Sequence, residues 1–432
     1  MAKINGFLAS YSDNIKELGI TYDENTKPPK SVINRFVRLF KDVEDERYQG
    51  MIDYPLIEII LIAFLAVLGN ASTWSEIEMF GKAKERWLKK FIHLKNGTPS
   101  HDTFRRVFSL IDTQQLQEAT VAFLIENIQA IKKSLPQNKD TYRLICVDGK
   151  EQRGTGRKGS YSGDIRNLQT LHIYDASNEI CIYSEAIDTK TNEIPVAQKA
   201  LEKMQLKGCI VTFDALHMQK DTVAIIRNEK GDYVGGLKGN QVGLMEEAAD
   251  YFRDSELLAF YKEKGDYYQT LEKAHGQSET REYYLVRPSK RAIVKEWSGL
   301  KAFICCKKTM TNIHTGEKKS ETRYYAASID DVELCAQAIR GHWGVENNLH
   351  WHLDYTMRED ENTTMDRNAF NNLSLLNKMA LSLFKLVKPL VKTPSMRVLR
   401  KQFGWDIEGY LSILLNCFDN STIAEAMLST KK

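Results

Sequence analysis

At 432 residues the chain is longer than one hydrophobic core usually supports, so two or three domains are expected, and its 42% hydrophobic and 27% charged residues exclude a disordered polymer. Against 57 acidic side chains it sets 60 basic ones, and the net charge of +3 is too mild to demand a polyanion partner without local clustering. The cysteines, at 146, 181, 209, 305, 306, 335 and 417, form no C-x-x-C pair, which excludes a disulfide framework and a cysteine zinc site and reads as a reducing compartment.

The opening MAKINGFLAS has no apolar stretch long enough for a signal peptide, so a cytoplasmic protein is expected. From about 33 to 135 the pattern is helical. Leu56 to Leu68 is apolar apart from Glu58, but as a helix it would span only about 20 Å against roughly 30 Å of hydrocarbon, so it reads as a buried helix. Pro55 opens it, Gly69 and Asn70 close it, and Thr73 with Glu76 is a capping-box signal for the next. After the break at 96–100, Ser100 can cap a helix through Leu110 and Asp112 another through about Ile131. Residues 80–106 carry eight Lys or Arg against Glu85 and Asp102. Helix, turn and basic helix suggest a DNA-reading unit with Arg105 and Arg106 as contacts, although plain helical bundles share that spacing. Residues 1–135 are thus expected to form an all-α DNA-binding domain.

Residues 136–140 read as a linker, after which the period changes to that of strands. Arg143 to Val147, Gln169 to Tyr174 and Ile180 to Ile187 are expected strands; Ile194 to Met204 a helix; Cys209 to Phe213 a strand; Met218 to Arg227 a helix; Tyr233 to Leu237 a fifth strand. This βββαβαβ order is that of an α/β, ribonuclease-H-like core, expected over 138–240 and 328–385. Residues 241–327, with strand-like Glu282 to Val286 and Ala302 to Cys306, read as a strand-rich insertion. A helix follows from Val332, and 386–432 reads as a basic helical C-terminal region. Between Arg367 and Trp405 eight bases occur without one acid, which suggests a phosphate-facing surface.

Asp148 follows the apolar run Leu144 to Val147 and is expected at or near a strand end, with Gly149 leaving space beside it. Asp214 ends the run Ile210 to Phe213 in the same way, and in the expected fold these two strands are neighbours. Glu346, on the later helix, can supply a third carboxylate. Such a trio suits two Mg²⁺ or Mn²⁺ ions, which prefer oxygen ligands and, at roughly 3.5–4 Å apart, serve both oxygens of a phosphodiester displacement. Lys150, Arg153, Arg157 and Lys158, with three glycines among them, suit a phosphate-contacting loop as well as an ordinary solvated one. His342 with His350-x-His352 lacks the remaining ligand that zinc would need.

Several strings resemble the H-repeat-associated, ISAs-type DDE transposases over about 33–385: Asp53-Tyr54-Pro55-Leu56, the stretch Pro99 to Phe108, Val147-Asp148-Gly149-Lys150, Asn192-Glu193-Ile194-Pro195, Thr212 to His217, His342 to Asn347, Leu349 to Asp354, and Arg358-Glu359-Asp360. The resemblance implies a ribonuclease-H-like domain with an insertion before the final glutamate, and an acidic triad of Asp148, Asp214 and Glu346. It further implies an insertion-sequence transposase of the bacterial cytoplasm and nucleoid, using metal to cut and join DNA at element ends. Its partners would be terminal inverted repeats and target DNA, with a homodimer in the synaptic complex and no membrane. A DNA-binding regulator or decayed remnant, and a nuclease outside transposition, are the alternatives. One departure stands out: at the Tyr, Arg and Lys positions of the Tyr-x2-Arg-x3-Glu-x6-Lys signature this chain has Ile339, His342 and Leu353. Arg340 and His342 are the candidate replacements in gripping phosphate, with His350 or His352 in support. Arg281 is a further phosphate candidate from the string 275–281, or else a solvated strand end. Core packing explains Trp343 and Trp351 as well as DNA contact does.

Overall fold

The computed structural model describes residues 3–4, 32–132, 141–160, 163–187, 192–274, 276–288, 292–391 and 395–410. The expected linker at 136–140, His275 and the chain beyond 410 lie outside the described residues.

Residues 32–132 hold six α-helices: α1 (Val32–Phe40), α2 (Leu56–Leu68), α3 (Trp74–Ala83), α4 (Glu85–Leu88), α5 (His101–Leu110) and α6 (Thr113–Lys132). Helix α2 is buried at every residue but Ile57, because α1, α3 and α5 pack round it together with two later helices. Its one charge, Glu58, is satisfied by the backbone N–H groups of His93 and Leu94, at 3.1 and 3.2 Å, as a buried carboxylate requires. The Thr73–Glu76 capping box and the Ser100 cap both form. No helix among the described residues is long and apolar enough to cross a membrane.

The strands begin with β1 (Lys3–Ile4) and β2 (Thr141–Gln152), followed by β3 (Arg157–Ser160), β4 (Gly163–Ile165), β5 (Leu168–Asp175) and β6 (Ile180–Ile187). Then come α7 (Glu193–Glu202), β7 (Cys209–Phe213), α8 (Lys220–Asn228) and β8 (Asp232–Leu237). The element order expected for 143–237 is present, with the small hairpin β3–β4 added between its first two strands. Strand β2 lies between antiparallel β5 and parallel β7, and β8 continues the parallel pairing beyond β7.

Residues 242–327 form α9 (Val242–Tyr251), α10 (Ser255–Glu263), β9 (Tyr267–Ala274), β10 (Gln277–Val286), α11 (Ala292–Lys295), β11 (Ala302–Asn312) and β12 (Lys318–Ala327). Their strands extend the same sheet, in the order β6-β5-β2-β7-β8-β12-β11-β10-β9, because Tyr324 to Ala327 pairs antiparallel with β8. The last helices are α12 (Val332–Gly344), α13 (Arg367–Val391) and α14 (Met396–Trp405). Helix α12 crosses the sheet at β2, where a Cβ on Gly341 would stand 2.2 Å from Leu144 Cδ2; glycine lets helix and strand close up. From Val345 to Thr356 the helix runs on in wide turns, bonded i to i+5, a form that recurs at functional sites.

The acid-free stretch 367–405 is not the uniform phosphate-facing surface its composition suggests. Helix α13 packs against α2, α5, α6 and β6, which buries Lys378 and Lys385, and α14 buries Arg400. Lys378 Nζ donates to Ser184 and Ser374, both at 2.8 Å, and Lys385 Nζ to the Tyr174 hydroxyl at 2.9 Å. Burial lowers the pKa of both lysines. Of the rest of this set, Arg367, Arg397 and Lys401 are exposed.

Candidate active site

Val147 and Phe213 are paired in register on parallel strands, so the next residue of each, Asp148 and Asp214, emerges side by side at one end of the β2–β7 pair. Asp148 is not at a strand end: β2 runs on to Gln152, paired with β5 alone, and Asp148 gains its opening because β7 stops at Phe213. Asp214 is exposed and caps the turn Ala215–His217, accepting from the Leu216 N–H at 3.0 Å. Glu346, exposed on the first wide turn beyond α12, faces the same opening. The three acids line one cleft of about 630 Å³ with Lys238, Arg323, His342 and Trp343.

Charge crowding marks this cleft. The Asp148 carboxyl is pushed up to about 7, first by burial and then by the charges of Asp214 and Glu346, against the pull of the Gly149 N–H, 3.0 Å from Oδ1; Glu193 adds a smaller push. Glu193 lies over Gly149, where a Cβ would meet its carboxylate at 2.4 to 2.5 Å, and its Oε2 is 3.4 Å from Nε2 of buried His217. His350 Nδ1 is 3.7 Å from Asp148 Oδ2, and its Nε2 is 2.9 Å from Nδ1 of His172, the β5 partner of Asp148. Burial takes His350 down to about 3 and His172 well below the usual histidine range, so both are neutral at physiological pH. Among the described residues no three His, Cys, Asp or Glu side chains are drawn together tightly enough to enclose a metal ion. The acids surround a cleft without closing into a ligand set.

The other residues singled out from the sequence divide. Arg105, Arg106 and Arg153 are exposed, Arg105 with Asp102 at 3.5 Å. Lys150 is buried rather than on a solvated loop: Nζ bonds Asp354 and, at 3.2 Å, Gln152, tying β2 to the wide-turn helix. Arg340 grips Glu272 with two bonds, at 2.9 and 3.2 Å, and mostly buried Arg281 pairs with Glu279 and, at 3.6 Å, with the same Glu272. Protein carboxylates match both arginines: Arg340, still partly exposed, ties α12 to β9, and Arg281 ties β10 to β9. His342 lines the cleft, but its Nδ1 is 3.0 Å from Thr212 Oγ1 and burial lowers it to about 4, so it brings a hydrogen bond and no positive charge. Lys238 and Arg323 are the exposed cations that the cleft does have, and the sequence did not point to them. Arg323 lies 5.0 Å from the Trp343 ring centre and pairs with Glu321 at 2.6 Å.

Two family profiles match this chain: the Transposase DDE domain over residues 139–383, and a DDE_Tnp_1-associated domain over 37–124. YncI of Escherichia coli O157:H7, provisionally named a transposase, is 32% identical over 81% of this chain and 86% of its own length. The H repeat-associated YhhI of Escherichia coli strain K12, also provisionally named a transposase, is 31% identical over 79% of this chain and 88% of its own. Among solved structures, a piggyBac transposase synaptic complex with hairpin DNA aligns over 94% of this chain and 83% of that one, at 11% identity and a TM-score of 0.39.

Proposed function

The chain belongs to the DDE transposase family, as a transposase of the insertion-sequence type, and from that premise we propose that Asp148, Asp214 and Glu346 are its catalytic, metal-holding triad. The observation that carries this reading is the meeting of three carboxylates on one cleft, where burial first, and then the charges of Asp214 and Glu346, push the Asp148 carboxyl up to about 7. Ionising the largely buried Asp148 beside two other carboxylates is costly unless a cation offsets it, and the donors are hard oxygens, the kind that Mg²⁺ and Mn²⁺ take. By their chemistry the three acids suit such ions, which would have to draw the carboxylates inward from their positions around the cleft. When bound, those ions would activate an attacking oxygen and stabilise the leaving one.

The chain's own residues supply position and charge. β2 and β7 fix the two aspartates at one level, and the Gly341 contact seats α12 so that Glu346 faces them. Lys238 and Arg323 are the cations placed to hold a DNA phosphate, in the absence of the signature arginine and lysine. His342 and His350, neutral, serve as hydrogen-bonding walls. Strands β6-β5-β2-β7-β8, three antiparallel and then two parallel, support a ribonuclease-H-like core, and the exposed Arg105, Arg106 and Arg153 support wider DNA contacts. On this reading DNA strands are cut at element ends and the freed 3′ ends joined to target DNA, within a homodimer holding two ends.

The test is metal-dependent cleavage and joining of labelled DNA bearing the terminal repeats that flank the gene, with Asp148→Asn, Asp214→Asn and Glu346→Gln beside the wild type. Joined products from the wild type and from none of the variants, with DNA binding retained throughout, are expected. Cutting by any of the three variants would remove that residue from the triad. Binding without cleavage by the wild type would favour a regulator or remnant, and cleavage without joining a nuclease.

A further inference from the structure

Asp148 and Lys150 lie on one face of β2, and the wide-turn helix meets that face at both. His350 turns its Nδ1 to within 3.7 Å of Asp148 Oδ2, and Asp354, one turn further on, bonds Lys150 Nζ. His172 stands directly across from Asp148 on β5, and its Nδ1 is 2.9 Å from His350 Nε2, with the ring centres 5.0 Å apart. Asp148, His350 and His172 therefore form a chain. At its far end Nε2 of His172, a residue wholly buried, has no hydrogen-bond partner among the described residues.

Each neutral imidazole carries one proton, and the dead end decides where it sits. A buried N–H with no acceptor is a rarer and costlier orphan than a bare lone pair. Lys378, which donates at 2.8 Å to Ser184, the β6 neighbour of His172, brings a further donor to that neighbourhood and disfavours a second one there. The His172 proton thus belongs on Nδ1, from which it is donated to His350 Nε2. With its Nε2 an acceptor, His350 holds its own proton on Nδ1, the atom that faces Asp148. Asp148 Oδ1 already accepts from the Gly149 N–H at 3.0 Å. An N–H at Oδ2 orients the second oxygen too, and the remaining lone pairs of both are left for the cleft.

We propose that His350 is a positioning residue for Asp148, and that His172 sets the tautomer in which His350 donates to it. A separation of 3.7 Å is longer than a hydrogen bond, so the bond closes when the carboxylate turns to take up a cation. The proposal rests on the reading of Asp148 as a metal-holding acid and gives the wide-turn helix a part in it. Glu346 and His350 stand on successive turns, so one helix delivers a carboxylate to the cleft and the donor that orients another.

Long-range ¹H–¹⁵N spectra of histidine-labelled wild type in EDTA read the tautomers directly. Nδ1–H forms with bare Nε2 are expected for both rings, and His350 should keep its Nδ1 proton when Mg²⁺ is added. An Nε2–H on His350, or loss of its Nδ1 proton to Mg²⁺, overturns the proposal, the latter by making His350 a ligand. In His172→Phe the His350 proton should spread over both nitrogens; an unchanged His350 tautomer removes His172 from the chain. Mn²⁺ binding, followed as the rise in melting temperature, is the second arm. His350→Leu is expected to raise the Mn²⁺ midpoint roughly 10- to 100-fold, whereas His350→Asn, whose amide can place an N–H near the Nδ1 position, should stay within about threefold of wild type. Similar melting of both variants in EDTA confirms the fold. An unchanged midpoint in His350→Leu, or an equal loss in His350→Asn, overturns the positioning role. A wild type that takes up no Mn²⁺ would refute the acidic triad, while the spectra would still decide whether His350 presents its proton to Asp148.

Discussion

Asp148→Asn should make the metal-free protein more stable. In the folded chain the Asp148 carboxyl holds its proton up to about 7 instead of 3.8, because burial comes first and Asp214 and Glu346 add their charges. The ionised form is the one that suffers. Below about pH 4 the carboxyl is protonated in both folded and unfolded chains and costs nothing. As pH rises from about 4 to about 7 the unfolded chain ionises first, so stability is lost across that window, and above it the full penalty applies. The difference between 3.8 and about 7 corresponds to about 4 kcal/mol on the charged side chain. Its 23% exposure lets solvent screen part of that, leaving about 2 kcal/mol. The amide is nearly isosteric and uncharged, so at pH 8 in EDTA Asp148→Asn should melt above wild type by something of the order of 3 °C. The gap should close toward pH 4. Added Mn²⁺ should then raise the wild type and leave the variant behind. Equal melting of the two proteins at pH 8, or a gap that does not change with pH, would refute the crowding on which the site assignment rests.

Two further substitutions test how the site is held. Gly341→Ala would gain about 1 kcal/mol of helix propensity, but its Cβ meets buried Leu144 at 2.2 Å, and overpacking there costs about 1–3 kcal/mol. The expected outcome is a protein no more stable than wild type whose Mn²⁺ midpoint in thermal melts has risen, because α12 and Glu346 are pushed from β2; a gain of stability with unchanged midpoint would show that the contact does not position Glu346. Arg400→Met keeps the bulk of a side chain that is 1% exposed but removes its bonds to Thr356 O, Ala71 O and Ser72 Oγ, at 2.6, 2.8 and 3.0 Å. Urea unfolding should show a loss of about 3 kcal/mol, and the salt dependence of DNA binding should stay the same; a loss under about 0.5 kcal/mol with a flatter salt slope would return Arg400 to a phosphate-facing role.

Where the sequence was legible, one short-range rule was at work. The β2 and β7 runs are apolar and buried on both faces, so Asp148 and Asp214 stand out as charges at the points where burial ends. Caps at Thr73 and Ser100 were readable because the donor and acceptor lie within three residues of each other. What escaped was long-range. β2 was expected to stop near Asp148 because a charge and a glycine follow, yet pairing with β5 carries it on to Gln152. Lys150, Lys378 and Lys385 read as solvent-facing because lysine usually is, and only the fold supplies Asp354, Ser184 and Tyr174 as partners more than 190 residues away in sequence. Arg281 and Arg340 likewise meet at Glu272, a residue that no local pattern connects to either.

The same contrast explains how the cleft manages without the signature cations around the glutamate. Ile339 and Leu353 stand where the signature has tyrosine and lysine; both are buried, at 5% and 0% exposure, so these positions contribute packing and no charge. At the arginine position His342 is neutral. Cationic groups reach the cleft instead from outside the helix: Lys238 just after β8, and Arg323 on β12, the latter paired with Glu321 of the same lining. Both elements meet because β12 pairs with β8, which means the strand-rich segment between the second aspartate and the glutamate is what carries a cation to the site.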